Sequence, residues 1–274
     1  MCAAIEVAKA AGDVIRNAHE NRNSLEIEAK GDTHQNVDLV TATDKNCEEL
    51  IIGTLRKRYS SHTFIGEETA KLSSGPLQLG HEPTWLIDPI DGTTNFVHGY
   101  PFVTVSIGLA IDGQIVLGVI FNPLMDECCT AIRGRGAHLN SRPIRVGSAK
   151  GVTTAVICNN MGASREPAVN LLTTKRLHAL LEANVRGLRN SGSAAQNMMH
   201  VACGRLDAYF EDGFGGPWDV AAGKIIVEEA GGRLCMIDGS PFALLGGKGK
   251  VVCGNLAVIE DICRVLSTVA LPTQ

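Results

Sequence analysis

Two aspartates, Asp88 and Asp91, lie where an apolar run meets a turn rich in Gly, Thr and Asn. Residues 85–88 are typical of the end of a buried strand, and residues 92–96 of a turn that begins a short helix. The first backbone N–H groups of a helix have no intrahelical partner, so such a turn can hold a phosphate. Two buried carboxylates repel each other unless a multivalent cation or a shared proton compensates them, and hard oxygen ligands favour Mg²⁺. The alternative is that Asp88 ends the strand and that Asp91 begins an ordinary surface turn.

Other acidic residues occupy similar positions in the sequence. Glu68 follows a short apolar run, and Asp219 begins a predicted helix after two glycines. In α/β architectures ligands bind at the ends of strands and the starts of helices, where glycines let the backbone approach them. Asp44 also begins a helix, where the helix dipole alone favours an acid, and Glu67 and Glu68 also match an ordinary surface pair. We therefore expect one acidic site formed by Glu68, Asp88, Asp91 and Asp219.

Other familiar motifs are incomplete. Residues 246–250 contain glycines and lysines without the spacing of a Walker loop, and residues 134–136 lack the third glycine of the dinucleotide fingerprint. The eight histidines show no metal-ligand spacing, and the nine cysteines include no Cys-x-x-Cys pair. Ser191 has no nucleophile-elbow context. The sequence therefore predicts neither a zinc hydrolase nor a serine hydrolase.

The composition gives no sign of a nucleic-acid or membrane partner. The formal net charge is -4, without a long run of Lys and Arg. The most apolar window, residues 103–121, has Asp112-Gly113 at its middle, which predicts a hairpin rather than a membrane span. Charged residues interrupt the start of the chain, where a cleavable signal would need an apolar stretch. We therefore expect a cytoplasmic protein.

The predicted helices and strands fall into two groups along the chain. Apolar residues at three- and four-residue steps predict a helix over residues 3–20, and Thr43 and Asp44 begin a second helix. Consecutive strands, which favour an antiparallel sheet, are predicted at 103–111, 115–121, 128–132 and 144–146. Later strands and helices alternate: strands at 152–158, 189–192 and 206–210, helices at 166–182, 193–201 and 217–230, then a strand and a helix within 251–269. We predict two lobes with a continuous interior: an N-terminal α+β lobe over residues 1–150 with most of the metal ligands, and a C-terminal α/β lobe over residues 151–274 that completes the site.

Four segments resemble, in order and spacing, the signatures of the inositol monophosphatase family. They are Gly66-Glu67-Glu68 and residues 88–96, 218–223 and 229–232. The resemblance extends from the first helix to about Pro241. It implies an α/β fold, a layered α-β-α-β-α sandwich with a larger antiparallel sheet and a second, smaller sheet. Family members are usually dimeric, so we expect a homodimer.

The resemblance also implies a site for Mg²⁺ and for a small phosphorylated polyol. The implied metal ligands are Glu68, Asp88, Asp91, Asp219 and the carbonyl of Ile90. Two ions roughly 4 Å apart would stabilise both oxygens of an in-line displacement, with a third, weaker ion near Glu68. Glu68 and Thr93 would orient the attacking water, and Asp44 would accept a hydrogen bond from Thr93. The implied substrate-binding residues are Asp91, Gly92, Thr93, Gly192, Ser193, Ala194, Glu211 and Asp219.

Two segments depart from the family pattern. Members often carry a lysine before the segment that is residues 37–40 here, but residues 33–36 contain none and Lys30 is only nearby. Many animal-type members have a short link with a histidine before Trp-Asp, where this chain has residues 214–217, Phe-Gly-Gly-Pro. The second departure changes the expected wall beside Glu211.

We therefore predict Mg²⁺-dependent hydrolysis of inositol monophosphate, with sensitivity to lithium. The same chemistry on a sugar phosphate, a histidinol phosphate or a phosphorylated nucleotide is an alternative. A covalent phosphoryl-aspartate is another, although Asp-x-x-Asp differs from the Asp-x-Asp spacing usual for that mechanism. A scaffold that retains only the fold is the non-enzymatic alternative.

Overall fold

The computed structural model describes residues 1–22, 27–29, 39–70, 77–161, 164, 166–245 and 249–269. The helices are α1 (Cys2–Glu20), α2 (Ala42–Arg58), α3 (Glu67–Ala70), α4 (Thr93–His98), α5 (Pro167–Glu182), α6 (Ala194–Ala202), α7 (Pro217–Glu229) and α8 (Leu256–Ser267). The strands are β1 (Ile27–Ala29), β2 (Leu39–Thr41), β3 (Thr63–Gly66), β4 (Thr84–Asp91), β5 (Thr104–Ile111), β6 (Gln114–Asn122), β7 (Glu127–Ile132), β8 (Ala137–Leu139), β9 (Arg142–Pro143), β10 (Val156–Asn159), β11 (Gly187–Asn190), β12 (Ala208–Glu211), β13 (Arg233–Cys235) and β14 (Val251–Gly254). None of the helices in these ranges is long and apolar enough to cross a membrane.

The larger sheet contains seven strands within the described residues, in the order β3-β4-β5-β6-β7-β8-β9. Its neighbouring strands are antiparallel, except that β3 is parallel to β4. Asp112 and Gly113 join β5 to β6 with positive φ angles of 51° and 71°, as a primed two-residue turn requires. The predicted hairpin is confirmed, and the larger sheet is mixed at one edge rather than wholly antiparallel.

The smaller sheet contains five strands within the described residues, in the order β11-β10-β12-β14-β13. β10 is parallel to both β11 and β12, whereas β14 is antiparallel to β12 and β13. The prediction of a strand at residues 144–146 is wrong. The Val146 N–H donates to the carbonyl of Ala230 at 3.1 Å and not to a neighbouring strand. The predicted strand at residues 152–158 begins only at Val156, after a 3-10 turn at Val152–Thr154.

Helices form three layers around the two sheets. α1 and α2 pack on the outer face of the larger sheet, α6 and α7 lie between the sheets, and α8 packs on the smaller sheet beside α5. Buried apolar side chains fill the space between these layers in three clusters. The predicted α-β-α-β-α order is therefore confirmed. The larger sheet uses residues before 150 and the smaller sheet residues after it, while a division into two lobes at that point stays a prediction.

α7 lies close to the larger sheet because the strands beneath it carry glycines. A Cβ atom at Gly118 would lie 2.5 Å from the carbonyl oxygen of Ala222, and one at Gly108 would lie 2.9 Å from the Cβ of Ala221. Both distances are shorter than van der Waals contact allows. Glycine on the strands and alanine on the helix together permit this close approach.

The same contact fixes the start of α7 next to the end of β4. Ser106 Oγ on β5 donates to the carbonyl of Trp218 at 3.1 Å. Ser106 is paired with Asp88 of β4 in the sheet. The first turn of α7, which contains Asp219, is thereby held beside the acidic end of β4.

We expect Gly118→Ala to destabilise the protein by about 1–3 kcal/mol, because the added methyl group forces α7 away from β6. Gly80→Ala is the matched control, since a Cβ at Gly80 meets no atom within 4 Å. Urea unfolding followed by circular dichroism measures both variants. Equal midpoints for the two variants would show that the α7 contact tolerates a methyl group.

Candidate active site

The end of β4 supplies two buried carboxylates. Asp88 and Asp91 are 2% and 8% exposed. The pairing of β4 with β5 shifts register between these two residues, so the strand bulges there. Gly92 follows with φ 95° and begins α4, and a Cβ at this position would lie 2.8 Å from the carbonyl of Phe102. Glycine is therefore required where the chain turns from β4 into α4.

Glu67 brings a third carboxylate to this cluster. Its carboxyl group is hydrogen-bonded to that of Asp88 and also interacts electrostatically with Asp91 and Asp219. β3 and β4 are parallel with Gly66 opposite Ile87, so Glu67, the first residue after β3, lies beside Asp88 of β4. Glu68 was expected at this position from the sequence. The strand register supports Glu67 instead.

Glu48 of α2 holds the helix that carries Glu67. This carboxylate is 1% exposed and accepts the backbone N–H groups of Glu68 at 2.7 Å and Thr69 at 2.9 Å. A Cβ at Gly66 would lie only 2.3 Å from the Glu48 carboxyl carbon. Glu48 therefore accepts hydrogen bonds from N–H groups in the first turn of α3 and fixes the position of the helix that begins at Glu67. No sequence motif marked Glu48, because the backbone groups that it binds lie 20 and 21 residues later in the sequence.

Asp219 joins the cluster from the first turn of α7. Its Oδ2 atom accepts the backbone N–H of Gly215 at 2.7 Å. Pro217 at the start of α7 fixes the helix entry. The carboxylate interacts with Asp91, Glu67 and Glu211, so a residue far along the sequence completes the acidic group.

Burial and neighbouring acids disfavour the ionised forms of Asp88, Asp91 and Asp219, and so raise the pKa of each. Burial, then the neighbouring Glu67, Asp91 and Asp219, raises the pKa of Asp88 well above its usual range. Burial and the neighbouring acids likewise raise the pKa of Asp219. Burial raises the pKa of Asp91 to about 6, although hydrogen bonds from α6 lower it. Because oxygen ligands and excess negative charge are what a hard divalent cation requires, the residues fit Mg²⁺.

The described residues do not include a preformed ligand set of three or more acidic, His or Cys side chains. The four carboxylates are therefore an electrostatic cluster rather than a closed coordination cage. Burial and the repulsion between like charges both oppose ionisation in such a cluster, which agrees with the raised pKa values of Asp88, Asp91 and Asp219.

Asp44 connects α2 to the start of α4. It is fully buried, and its Oδ2 atom accepts the backbone N–H and the hydroxyl of Thr41 at 2.8 and 2.6 Å, which completes a capping box. Its Oδ1 atom is 3.2 Å from the hydroxyl of Thr93. The Thr93 hydroxyl also lies 3.1 Å from the carbonyl of Ile90. The expected contact between Asp44 and Thr93 is present, together with the expected role of Asp44 at the helix start.

The start of α6 binds Asp91 through neutral donors. Ser193 Oγ donates to Asp91 Oδ2 at 2.5 Å, and the backbone N–H groups of Ala194 and Ala195 donate at 3.2 and 2.7 Å. Gly192 precedes them with φ 79°. Gly192, Ser193 and Ala194, which were expected at the substrate, are thus next to Asp91.

Glu211 lies at the end of β12 and is 5% exposed. The Tyr209 hydroxyl and Asn160 Nδ2 both donate to its Oε2 atom. Burial raises the pKa of Glu211 to about 8, and the nearby Asp91 adds to this effect. Glu211 and Asn160 line a cavity of about 350 Å³. Sequence analysis identified Glu211 but missed Asn160, although two polar residues directly after a strand were a usable signal.

The loop that was expected to carry a third-metal lysine, with Lys30 and residues 33–36, lies outside the described residues. Asp44, Thr93 and the expected aspartates make the contacts described above, whereas the contact described for Glu68 is that of its backbone N–H with Glu48. Their roles as ligands and catalytic groups stay predictions.

Comparison with known proteins bears on the family. A profile of the inositol monophosphatase family matches residues 1–269. The chain is 53% identical to inositol monophosphatase 2 of Solanum lycopersicum over 241 residues, 88% of this chain and 88% of that protein. It is 38% identical to inositol monophosphatase 1 of Homo sapiens over 268 residues, 98% of this chain and 94% of that protein.

Its fold resembles that of the solved inositol monophosphatase of Anabaena, with a TM-score of 0.81 and 33% sequence identity. The superposition covers 98% of this chain and 96% of that one. With a family match along nearly its whole length and a solved relative of the same architecture, this chain belongs to the inositol monophosphatase family.

Proposed function

We propose that this protein hydrolyses inositol monophosphate to inositol and phosphate in a Mg²⁺-dependent reaction. The relatives named above are phosphatases, so the reaction type is phosphomonoester hydrolysis. One observation carries the metal dependence: acidic residues from α3, β4 and α7 meet in a partly buried cluster, in which burial and neighbouring acids raise the pKa of Asp88 and Asp219. Such a cluster needs a cation to become a stable binding site.

The carboxylates of Glu67, Asp88, Asp91 and Asp219 and the carbonyl of Ile90 would hold Mg²⁺. Bound Mg²⁺ would supply the positive charge that polarises the phosphoryl group and offsets the charge that develops on it. Glu67 takes the place that the sequence analysis gave to Glu68, because Glu67 is the residue hydrogen-bonded to Asp88. This replacement is part of the proposal.

Thr93 would accept a hydrogen bond from the attacking water, and Asp44 would accept one from Thr93. The Thr93 hydroxyl carries one proton and has two acceptors within reach, Asp44 and the Ile90 carbonyl. With the Ile90 carbonyl occupied by Mg²⁺, the Thr93 hydroxyl would donate to Asp44, and its lone pair would accept a proton from water. Asp44 cannot turn away, because Thr41 holds its other oxygen. Water is thereby oriented at the Thr93 oxygen atom.

The substrate would be bound on both sides of the phosphoester bond. The backbone N–H groups of Gly92 and Thr93 would donate to the phosphate. The alcohol would face Asp91, Asp219 and Glu211, whose carboxylates accept hydroxyl protons, together with Gly192, Ser193 and Ala194. A polyol such as inositol presents several hydroxyls to match these acceptors. A homodimeric assembly, sensitivity to lithium and a cytoplasmic location stay predictions that derive from the family resemblance and the composition.

The proposal predicts that the purified protein releases phosphate from inositol 1-phosphate with Mg²⁺ and not with excess EDTA. Colorimetric phosphate detection measures the rate. Asp88→Asn is the test variant, because the amide keeps the oxygen that accepts the Ile90 N–H but removes the charge. We expect this variant to lose at least about 100-fold in kcat, since it removes a metal ligand.

Absence of metal-dependent turnover on inositol 1-phosphate would refute the proposed function. A panel of sugar phosphates, histidinol phosphate and nucleotides, ranked by kcat/KM, tests the alternative substrates. A higher kcat/KM for one of them than for inositol 1-phosphate would keep the chemistry and change the substrate.

Glu67→Gln and Glu68→Gln form a second, internally matched test. We expect Glu67→Gln to lower kcat at least about 100-fold and to weaken binding of Mn²⁺ as measured by isothermal titration calorimetry. Glu68→Gln should retain most of the activity and the Mn²⁺ affinity. Its backbone N–H donates to Glu48, and the substitution keeps that hydrogen bond. The reverse ranking would restore Glu68 as the ligand.

Gly66→Ala tests whether Glu48 sets the position of Glu67. The new methyl group would overlap the Glu48 carboxylate, so we expect kcat to fall at least about tenfold while the protein stays folded. Gly53→Ala on α2 is the control, because its Cβ meets no atom within 4 Å, and it should stabilise the helix by about 0.5–1 kcal/mol. Wild-type kinetics for Gly66→Ala would contradict the assigned role of Glu48.

A further inference from the structure

Asn160 follows β10 and its side chain contacts two walls of the site. Its Nδ2 atom donates to Glu211 Oε2 at 3.4 Å and to the Tyr209 hydroxyl at 3.3 Å. Its Oδ1 atom accepts the Gly192 backbone N–H at 3.1 Å and Asn197 Nδ2 at 2.9 Å. One amide therefore joins the end of β12 to the turn before α6.

The surrounding network allows only one orientation of this amide. Asn197 Oδ1 accepts from the hydroxyl of Ser191 and from Cys158 Sγ at 3.1 Å, so its Nδ2 atom must face Asn160. The backbone N–H of Gly192 can only donate. Two donors thus fix the oxygen of Asn160, and its NH₂ group must face Glu211.

This orientation leaves the two oxygens of Glu211 in different states. Oε2 accepts from Tyr209 and from Asn160. Within the part of the chain that the structure describes, Oε1 accepts no hydrogen bond. Glu211 is 5% exposed and lines the adjoining cavity of about 350 Å³, so a hydroxyl that enters this cavity can donate to the carboxylate.

We propose that Asn160 is a positioning residue that sets the specificity for the alcohol part of the substrate. By donating to Oε2, it holds Glu211 so that Oε1 receives a hydroxyl of a polyol. Through Gly192 it also ties this carboxylate to the turn whose next residue, Ser193, binds Asp91. Asn160 thereby holds Glu211, on the alcohol side of the site, at a fixed distance from the turn that binds Asp91. This inference rests on the proposed function and names the substrate feature that it recognises.

Steady-state kinetics with inositol 1-phosphate tests the inference, with inorganic phosphate as a competitive inhibitor that probes the phosphate side alone. We expect Asn160→Ala to raise KM about tenfold, which is the size expected for the loss of one hydrogen bond. The kcat value should change less than about threefold, and the inhibition constant of phosphate should stay at the wild-type value. Asn17→Ala is the control, since it makes the same truncation on the exposed side of α1.

Asn160→Asp separates the two contacts of the amide. Its oxygens still accept from Gly192 and Asn197, but it cannot donate to Glu211. We therefore expect an increase in KM at least as large as for Asn160→Ala, because the new carboxyl group also opposes ionisation of Glu211. This variant also decides the question if Asn160→Ala does not fold, because it keeps the buried acceptors.

Three outcomes would overturn the inference. Wild-type KM for both variants would show that Glu211 does not depend on Asn160. Wild-type KM for Asn160→Asp alone would assign the role to the Gly192 turn. Parallel losses in kcat, KM and phosphate inhibition would indicate a general structural defect. Failure of the proposed function itself is distinct, because then the wild-type protein would not turn over inositol 1-phosphate at all.

Discussion

Mutual repulsion between buried carboxylates is the constraint on which this structure depends. Glu67, Asp88, Asp91 and Asp219 come from three separate parts of the chain, and burial together with the neighbouring acids raises the pKa of each of the three aspartates. Each must lose hydration and lie next to like charges, which opposes folding of the site. The surrounding fold must therefore supply rigid support that does not neutralise the charge that a cation would use.

That support comes largely from neutral hydrogen-bond donors and from close backbone packing. The start of α6 donates three hydrogen bonds to Asp91, and Gly215 donates one to Asp219. Glu48 acts one step further out, since it holds the backbone of α3 rather than any member of the cluster. Neutral donors stabilise the ionised form without the charge of a Lys or Arg, so the negative potential is retained for a ligand.

Much of the fold and most of the site were predictable because their signals are local. The Asp112-Gly113 turn predicts its hairpin from conformational preference alone, and Asp88 and Asp91 stand out by their position after an apolar strand. Glu67 and Glu68 could not be separated in this way, since both follow the same strand. The choice depended on the parallel register of β3 and β4, which places Glu67 next to Asp88. Asn160 and Glu48 were missed because their partners lie 20 or more residues away.

The sequence by itself determined the types of group available, the glycines and turns around them, and the family to which the chain belongs. These follow from residue chemistry and from preferences that act over a few residues. Only the tertiary structure decided which glutamate meets Asp88, which amide faces Glu211 and how closely α7 approaches the sheet. Those outcomes depend on strand register and on packing between distant segments, which are set by the cooperative burial of the whole core and not by any one segment.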